Sequence, residues 1–600
     1  MAKYETLLRV LDQIRDEARE TKWKSVYAVG SRNSEKISQA RSRAYIHLYL
    51  KVMFGMASFS DREHHVTDGS YDGGIDGYYI DSDLKRIYLL QSKFRRTAKN
   101  FESTRIAPEE LLSMDIDRIT GGEEEDEAGN KYNGKIQGLA RAISETTDIA
   151  RYKYYVVIIA NCNIQPSHVR KLTGGYNAEI FDYDRTYREL LFPIISGTYF
   201  KASDLTLQLD LNHKSASAKT SYSVLTPKYE CEITVLFVPT IEIARAMDKY
   251  RNSILSYNPR SYLDFDGKNV NNSIRETLLK QDSNEFALMN NGITILSDET
   301  NINERIGQQN KAQVRLLNPQ IINGGQTAYT LSRILNESRN EAEVRFYGKE
   351  VLAKIITLTP RDPSADNTEE QQRLIQEISA ATNRQTVVIS TDRHSNTDVN
   401  IKLQAKLFDR FGILLERKRG EFSDGILLGY VSREDILDRN IFFRILLASR
   451  GQISRAVRKR IFGTHGIEDV DLMRDETLDQ FYIAYDIFKK IGPNMENKKR
   501  YREALGKVYL GVRLKRANPE LDFSTTSEID SIWGRVVKAA SVRRTTYYQS
   551  LIDRKTGDVR DVFSQEKWMA SADFEEDLVQ FLTEDGVQGA PAKPKTRRVK

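Results

Sequence analysis

The sequence contains little cysteine, the residue that forms disulfide cross-links. Its 600 residues include two cysteines, Cys162 and Cys231. Two cysteines so far apart in the chain exclude a disulfide scaffold and a zinc site built from cysteines, and free thiols are typical of a reducing compartment. We therefore expect a cytoplasmic protein.

Long apolar stretches are also missing. A helix that spans a bilayer needs roughly 20 consecutive apolar residues, whereas the longest strand-like apolar run here is YYVVIIA at 154–160. The N-terminal MAKYETLLRVLDQIRDEARE reads as a charged amphipathic helix rather than a signal peptide. We expect no membrane partner.

A strong excess of one charge is absent too. The chain has 90 Lys and Arg against 84 Asp and Glu, a net charge of +6. This balance neither requires nor excludes nucleic acid, because separate acidic and basic regions cancel in the total. The segment GGEEEDEAGNKYNGK at 121–135 predicts a solvated acidic loop, and basic clusters recur in the second half.

What is present is enough apolar sequence for folded cores, with 40% hydrophobic residues. The length and patterning predict an α/β multidomain protein. Helical and strand-like segments mix in residues 1–200 and again in a central α+β region, 201–435. A predominantly helical, basic region follows at 436–580, and the Gly-, Pro- and Lys-rich residues 581–600 predict a disordered basic tail.

The first region contains a predicted β-hairpin, formed by GIDGYYID and RIYLLQSKF. Side chains alternate along a strand, so Gln91 and Lys93 point to the same face. A hairpin with its tip at Asp83 and Leu84 pairs Asp76 with Gln91, and directly opposed Cβ atoms lie about 4.5–5.5 Å apart. The register predicts one cluster of Asp76, Gln91 and Lys93.

This cluster suits hydrolysis of a phosphodiester. Carboxylate and amide oxygens are hard ligands for Mg²⁺ or Mn²⁺, which stabilise charge on phosphorus and lower the pKa of an attacking water. Lys93 would orient that water or neutralise developing charge. Because Gln91 is uncharged, we expect looser metal binding or a second carboxylate nearby. The alternative is a polar hairpin with a surface lysine, in which Asp68 and Asp72 shape the turn.

The segment DGGIDGYYI followed by LLQSKF resembles the PD-(D/E)xK nuclease motif in its Gln variant, as in Mrr-like restriction endonucleases. The resemblance implies a restriction-endonuclease-like α/β domain. It also implies that Asp76 binds the metal, that Gln91 occupies the usual acidic position and that Lys93 is the catalytic lysine. Family members often take a further metal-binding acid from the preceding helix. Glu35 is the nearest candidate for it, with Glu63 next.

Three central segments place Asn, Gln and Thr beside apolar strand-forming residues: MNNGITIL at 289–296, LNPQIINGGQTAYTL at 317–331 and ATNRQTVVISTDRHSN at 381–396. Amide side chains both donate and accept hydrogen bonds, so they can recognise nucleobase edges or peptide backbone. The Gly pair can also open an anion-binding turn. The candidates for binding a nucleotide or another polar ligand are Asn323, Gln326, Thr327, Asn383 and Arg384. The alternative is that these polar groups satisfy one another inside the core.

Together with ERKRGEF at 416–422 and the lead-in YNPRSYL…VNNSIRETL at 257–279, these segments resemble the AIPR family, named for abortive infection phage resistance. The resemblance spans about residues 230–430. It implies a role in anti-phage defence with a central region that senses or regulates. A PD-(D/E)xK-like N-terminus before the AIPR region is an arrangement that the family shows.

Basic clusters indicate nucleic-acid contact, because Lys and Arg neutralise phosphates and release counterions. The alternative is a set of solvated helix faces paired with nearby acids. The candidate residues for nucleic-acid binding are Arg417, Lys418, Arg419, Arg458, Lys459 and Arg460.

The combined prediction is a Mg²⁺- or Mn²⁺-dependent endodeoxyribonuclease in anti-phage defence. Its expected partners are DNA, a nucleotide or phage-derived trigger, and further copies of the chain. The alternative is a DNA-binding or nucleotide-sensing regulatory protein with a degenerate, non-cleaving nuclease fold. The uncharged Gln91 keeps that alternative open.

Overall fold

The structure, a computed structural model, describes most of the chain: residues 3–82, 84–106, 111, 113–162, 166–176, 178–200, 204–210, 220–258, 268–280, 284–303, 311–337, 341–362, 368–382, 398–457, 472–492, 498–521, 527–552 and 559–584. The chain divides into two compact units. The first comprises Met1–Val388 and Lys418–Asp435, and the second comprises Ile389–Arg417 and Ile436–Lys600.

The first unit begins with a four-stranded mixed sheet. Its strands are β1 (Gly77–Asp81), β2 (Arg86–Ser92), β3 (Lys153–Ile159) and β4 (Ala178–Phe181), and they lie side by side in that order. β1 and β2 are antiparallel, whereas β3 is parallel to β2 and β4 is parallel to β3. β3 coincides with the apolar run of the sequence, as expected for a central parallel strand covered on both faces.

Helices flank this sheet: α1 (Lys3–Asp16), α2 (Ser34–Phe54), α3 (Phe59–His64), α4 (Ala98–Glu102), α5 (Ile116–Thr120), α6 (Gly134–Ser144), α7 (Pro166–Leu172), α8 (Tyr183–Arg185) and α9 (Phe192–Ser196). α1 confirms the predicted amphipathic N-terminal helix. α2 begins after Asn33, whose side chain caps two backbone N–H groups, and ends at the left-handed Gly55.

Helices cover both faces of the sheet. Ile87 and Leu89 of β2 pack in one core with α6. Tyr88, which lies between them and therefore points to the other face, packs against Phe54 of α2 with ring centroids 4.9 Å apart. The acidic segment at 121–135 runs into the first turn of α6 and is mostly exposed, as predicted.

Two further sheets follow in the first unit. Their strands are β5 (Asp204–Asp210), β6 (Thr220–Leu225), β7 (Tyr229–Pro239), β8 (Ile293–Ser297), β9 (Glu299–Asn303), β10 (Lys311–Leu317), β11 (Gln320–Asn323) and β12 (Glu350–Pro360). The strand orders are β5-β10-β9 and β11-β8-β12-β7-β6. Only β8 and β12 pair in parallel among these described strands.

The helices of this part are α10 (Thr240–Tyr250), α11 (Lys268–Lys280), α12 (Phe286–Met289), α13 (Gly325–Glu337), α14 (Ala342–Phe346) and α15 (Thr368–Thr382). α10 and α13 bury Met247 and Leu331 in one core with Ile295 of β8 and Val351 of β12. One residue, Gly324, separates the end of β11 from the start of α13.

The remaining helices are α16 (Asp398–Phe411), α17 (Ser423–Leu427), α18 (Arg439–Ser449), α19 (Ile453–Ala456), α20 (Asp475–Ile491), α21 (Lys498–Ala517), α22 (Ser527–Arg543), α23 (Gln565–Met569) and α24 (Asp573–Glu584). α17 belongs to the first unit and the others to the second. The second unit also holds the parallel pair β13 (Leu414–Glu416) and β14 (Ile436–Asp438), and the hairpin of β15 (Tyr548–Ile552) and β16 (Val559–Phe563).

The described residues thus form a mixed α/β protein with several small sheets and many helices. None of the helices in this part of the chain has both the length and the apolar character needed to cross a bilayer. α24 continues to Glu584, past the predicted start of the tail at 581, and residues 585–600 lie outside the described residues.

Candidate metal centre

The β1–β2 hairpin has the predicted register. Gly77 pairs with Leu90 and Asp81 with Arg86, which sets Asp76 opposite Gln91. Asp76 lies just before β1, and its backbone N–H donates to the Leu90 carbonyl at 2.8 Å. The predicted tip residue Asp83 lies outside the described residues.

Asp76 and Gln91 are both buried, with 7% and 2% of their surfaces exposed. The Ser92 backbone N–H donates to Asp76 Oδ2 at 2.6 Å, and Gln91 Nε2 donates to the Gly74 carbonyl at 2.8 Å. These bonds hold both side chains at the end of β2. Lys93 follows β2, is half-buried and stands close enough for its charge to act on Asp76.

The loop before β1 depends on glycine at position 74. Gly74 has a φ of +75°, and a Cβ there would lie 2.5 Å from the Ser113 carbonyl and 3.2 Å from Gln91 Nε2. Any other residue would strain the backbone and push into Gln91. The Gly-rich lead-in of the sequence motif is therefore a requirement of the loop that carries the acids.

The loop brings three carboxylates together. One oxygen each from Asp68, Asp72 and Asp76 lies within 4.8 Å of the others. Asp72 also accepts hydrogen bonds from the backbone N–H groups of Gly69 and Gly74, both at 3.0 Å. The turn-shaping role considered for Asp72 is therefore present, and the same side chain belongs to the carboxylate group.

Burial and like charge make this group electrostatically unfavourable. The pKa of Asp76 is raised to about 8, mainly by burial and also by the charges of Asp68 and Asp72, against the opposing effects of the Ser92 N–H and of Lys93. Burial also raises the pKa of Asp72. A bound cation would relieve the repulsion.

The predicted helical acid is not part of this group. Glu35 lies exposed in the first turn of α2, and the carboxylate group found among the described residues contains only aspartates. The structure therefore does not bring Glu35 to the carboxylate group. Asp68 and Asp72 supply the nearby carboxylates that the uncharged Gln91 led us to expect.

Glu63, the second helical candidate, is engaged elsewhere. Its carboxylate accepts hydrogen bonds from Tyr27, from His47 Nε2 at 3.1 Å and from Lys135 Nζ at 2.8 Å. Burial alone would raise the pKa of Glu63, but these donors lower it to about 2. Arg62 Nε donates to His47 Nδ1 at 3.2 Å, so the proton of the neutral imidazole sits on Nε2.

The central candidates are bonded to their own chain. Asn323 Nδ2 donates to the Thr382 carbonyl at 2.8 Å, and Asn290 Nδ2 donates to Thr327 Oγ1 at 3.2 Å. Gln326 is half-buried in the first turn of α13. Asn323 and Thr327 thus fit the alternative of internally satisfied polar groups. Asn383 and Arg384 lie outside the described residues.

The basic candidates differ from one another. Lys418 is 4% exposed, and its Nζ donates to the backbone carbonyls of Leu255 and Ser256 at 3.4 and 2.5 Å. The prediction that Lys418 contacts nucleic acid is therefore wrong. Arg417 is half-buried with its Nε donating to Gln404 at 2.7 Å, while Arg419 is exposed. Arg458, Lys459 and Arg460 lie outside the described residues.

Sequence reasoning missed Asp68 and Asp72 as members of the carboxylate group. A signal was available, because Asp68, Asp72 and Asp76 recur every fourth residue within a Gly-rich turn. It could not be read from the spacing alone, since the approach of the three side chains depends on the fold of the loop.

The folded chain is thus an α/β protein with a candidate centre for a divalent cation. A family model described as AIPR protein matches residues 255–442, which supports assignment to the AIPR family. The match includes the NGGQT and ERKRGEF motifs. No curated protein and no solved structure matches the chain.

Proposed function

We propose that this protein is a nuclease that hydrolyses DNA with Mg²⁺ or Mn²⁺ and acts in anti-phage defence. The observation that carries the proposal is the carboxylate group of Asp68, Asp72 and Asp76, set beside Gln91 and Lys93 at the end of β2. The AIPR match supports the defence role.

The donor set fits a hard divalent cation. Mg²⁺ and Mn²⁺ prefer carboxylate and carbonyl oxygens, and Mg²⁺ is usually held by one or two carboxylates, waters and substrate phosphate. Asp72 and Asp76 are the buried acids that would hold it, with Asp68 at the solvent side. When bound, such an ion polarises a phosphoryl oxygen and lowers the pKa of a bound water.

The side chains around the acids orient the reactants. The Ser92 N–H fixes the Asp76 carboxylate, and the bond to Gly74 fixes the Gln91 amide. Arg43 Nε donates to Asp68 Oδ2 at 2.9 Å and holds the third acid. Lys93 neutralises charge that develops on the phosphate or positions the attacking water.

The test is a nicking assay on supercoiled plasmid with the full-length protein, in Mg²⁺, in Mn²⁺ and in EDTA. The wild type should nick DNA only with a divalent ion, whereas Asp76→Ala and Lys93→Ala should not nick it. Asp126→Ala, which removes an acid from the exposed loop, is the matched control and should remain active. Melting temperatures establish that each variant is folded.

Absence of cleavage by the wild type with either ion and any DNA form would overturn the nuclease proposal. The uncharged Gln91 favours a second candidate in that case, a protein that binds DNA without cutting it. Phage plating on cells that express wild type or Asp76→Ala would then separate the two. Protection that survives Asp76→Ala is independent of cleavage.

A further inference from the structure

A cavity of about 670 Å³ lies beside the carboxylate group. Its walls are formed by α2, by the turn at 25–26 and by the segment that follows β2. Asp68 belongs both to this wall and to the carboxylate group. A ligand in this cavity, which we name the α2 cavity, would therefore adjoin the candidate metal centre.

The α2 cavity is lined by more positive than negative charge. Lys36, Gln39 and Arg43 recur at helical spacing and so share one face of α2, and Arg96 faces them from beyond β2. Arg43 is paired with Asp68, the one acidic residue of the lining. Lys36 and Arg96 are exposed and form no ion pair within the described residues. Their charges are available to an anion.

The cavity also has an aromatic wall. Phe94 is half-buried, and its ring packs at 5.3 Å from Tyr45 and 5.5 Å from Phe101, centroid to centroid. These contacts hold the ring in place. Bases stack on such fixed rings without regard to sequence. Gln39, Ser38 and Ser42 add amide and hydroxyl groups that can bond to a base or sugar.

We propose that the α2 cavity holds an unpaired nucleotide of the DNA strand that is cut, next to the scissile phosphodiester. Lys36 and Arg96 contact its phosphates, and Phe94 stacks on its base. An unpaired base is free to stack on the ring, whereas a paired base is held in its duplex, so the preferred substrate has a single-stranded end, flap or gap. This inference rests on the proposed nuclease function.

The test measures binding without cleavage. The full-length protein is titrated onto a fluorescent single-stranded oligonucleotide and onto its duplex in EDTA, at several salt concentrations. Lys36→Ala/Arg96→Ala should lower single-strand affinity at least tenfold. It should also reduce the slope of log affinity against log salt by about 1.4, because each phosphate contact on a single strand contributes about 0.7. Duplex affinity should change less.

Arg151→Ala/Lys153→Ala is the matched control. Both residues are exposed, and the double variant removes the same charge. They lie at the start of β3, which pairs with the opposite end of β2, so they are roughly 20 Å from the cavity at about 3.3 Å per residue. This variant should change single-strand affinity less than twofold.

Phe94→Leu tests the stacking contact separately. It keeps an apolar side chain in the aromatic cluster, and it should weaken single-strand binding about fivefold with no change in the salt slope. If this variant does not fold, the charge variant and its control still decide the question.

Three results would overturn the inference. The cavity variant could bind like the control, or it could lose duplex and single-strand affinity equally. Alternatively, a free mononucleotide could displace the labelled oligonucleotide from the wild type as effectively as an unlabelled oligonucleotide does. The last result would make the cavity a site for free nucleotides. If the wild type cleaves DNA and the cavity variant binds DNA normally, this inference fails and the nuclease proposal stands. A wild type that never cleaves removes the nuclease proposal and leaves the binding data interpretable.

Discussion

The buried polar groups of two regions are satisfied in different ways. One region is the N-terminal loop that carries Asp68, Asp72 and Asp76, and the other is the central NGGQT motif. In the central motif, Asn323 and Thr327 have their hydrogen bonds supplied by the chain itself. In the loop, Asp72 and Asp76 are buried beside a third carboxylate, and their backbone donors do not neutralise the charge. A neutral cluster can be completed internally, whereas the repulsion within a cluster of buried acids is relieved either by protonation, as the raised pKa of Asp76 indicates, or by a cation from outside.

The central motif should be sensitive to backbone change at Gly324, as the loop is at Gly74. Gly324 has a φ of +82°, and a Cβ there would lie 2.7 Å from the Gly292 carbonyl. Gly324→Ala should lower the free energy of unfolding by between about 2 and 5 kcal/mol, from backbone strain and the clash together. Gly122→Ala, at the same φ with open space around it, is the control and should cost about 1 kcal/mol. Equal losses in chemical denaturation would contradict the packing described for Gly324.

Acid should weaken the contribution of His47 and Glu63 in the N-terminal region, whereas the raised pKa of Asp76 acts in the opposite direction, because protonation relieves the cost of its burial. Burial lowers the pKa of His47 to about 4 from an ordinary value of 6.5, so its contribution is complete above pH 6.5 and is lost as the pH falls towards 4. The loss is at most about 3.4 kcal/mol. The pKa of Glu63, about 2, extends the decline below pH 4.5. Denaturant titrations of wild type and His47→Gln would check this, since the variant should show a smaller pH slope. An unchanged slope would assign the decline to other groups.

A divalent cation should stabilise the loop. Mg²⁺ or Mn²⁺ at about one hundred times its dissociation constant would add roughly 2.7 kcal/mol to the free energy of unfolding. Calorimetry should show a metal-dependent rise in melting temperature that Asp76→Ala abolishes and Asp126→Ala retains. A rise of the same size in Asp76→Ala would place the ion elsewhere.

The smallest expected effect on stability comes from the hydrogen bond between the Asn323 side chain and the Thr382 carbonyl in the central motif. Asn323→Ala removes the hydrogen bond to Thr382 and should cost about 1–2 kcal/mol by denaturant titration. Because this cluster is neutral, the metal-dependent rise in melting temperature should be the same as in the wild type. If Asn323→Ala abolished the metal-dependent rise in melting temperature, the central motif and the N-terminal loop would be energetically coupled.

Much of the hairpin was predictable because its interactions are local. Turn position and strand alternation place Asp76 opposite Gln91 without information from the rest of the chain. The burial of Lys418 was not predictable, since its carbonyl partners, Leu255 and Ser256, lie more than 160 residues away. In sequence, a basic run is typical of a solvent-exposed segment. The ammonium group of a lysine has three hydrogen-bond donors, however, and a buried lysine can use them to link neighbouring backbone segments.

The sequence by itself determined the hairpin, its register and the polar residues that belong to it, because all of these follow from short-range geometry. The tertiary structure decided which acids share the centre. It excluded the exposed Glu35, engaged Glu63 with His47 and Lys135, and gathered Asp68 and Asp72 around Asp76. The physical reason is that a ligand set is defined by distances between side chains, and those distances depend on how the loop packs around Gly74.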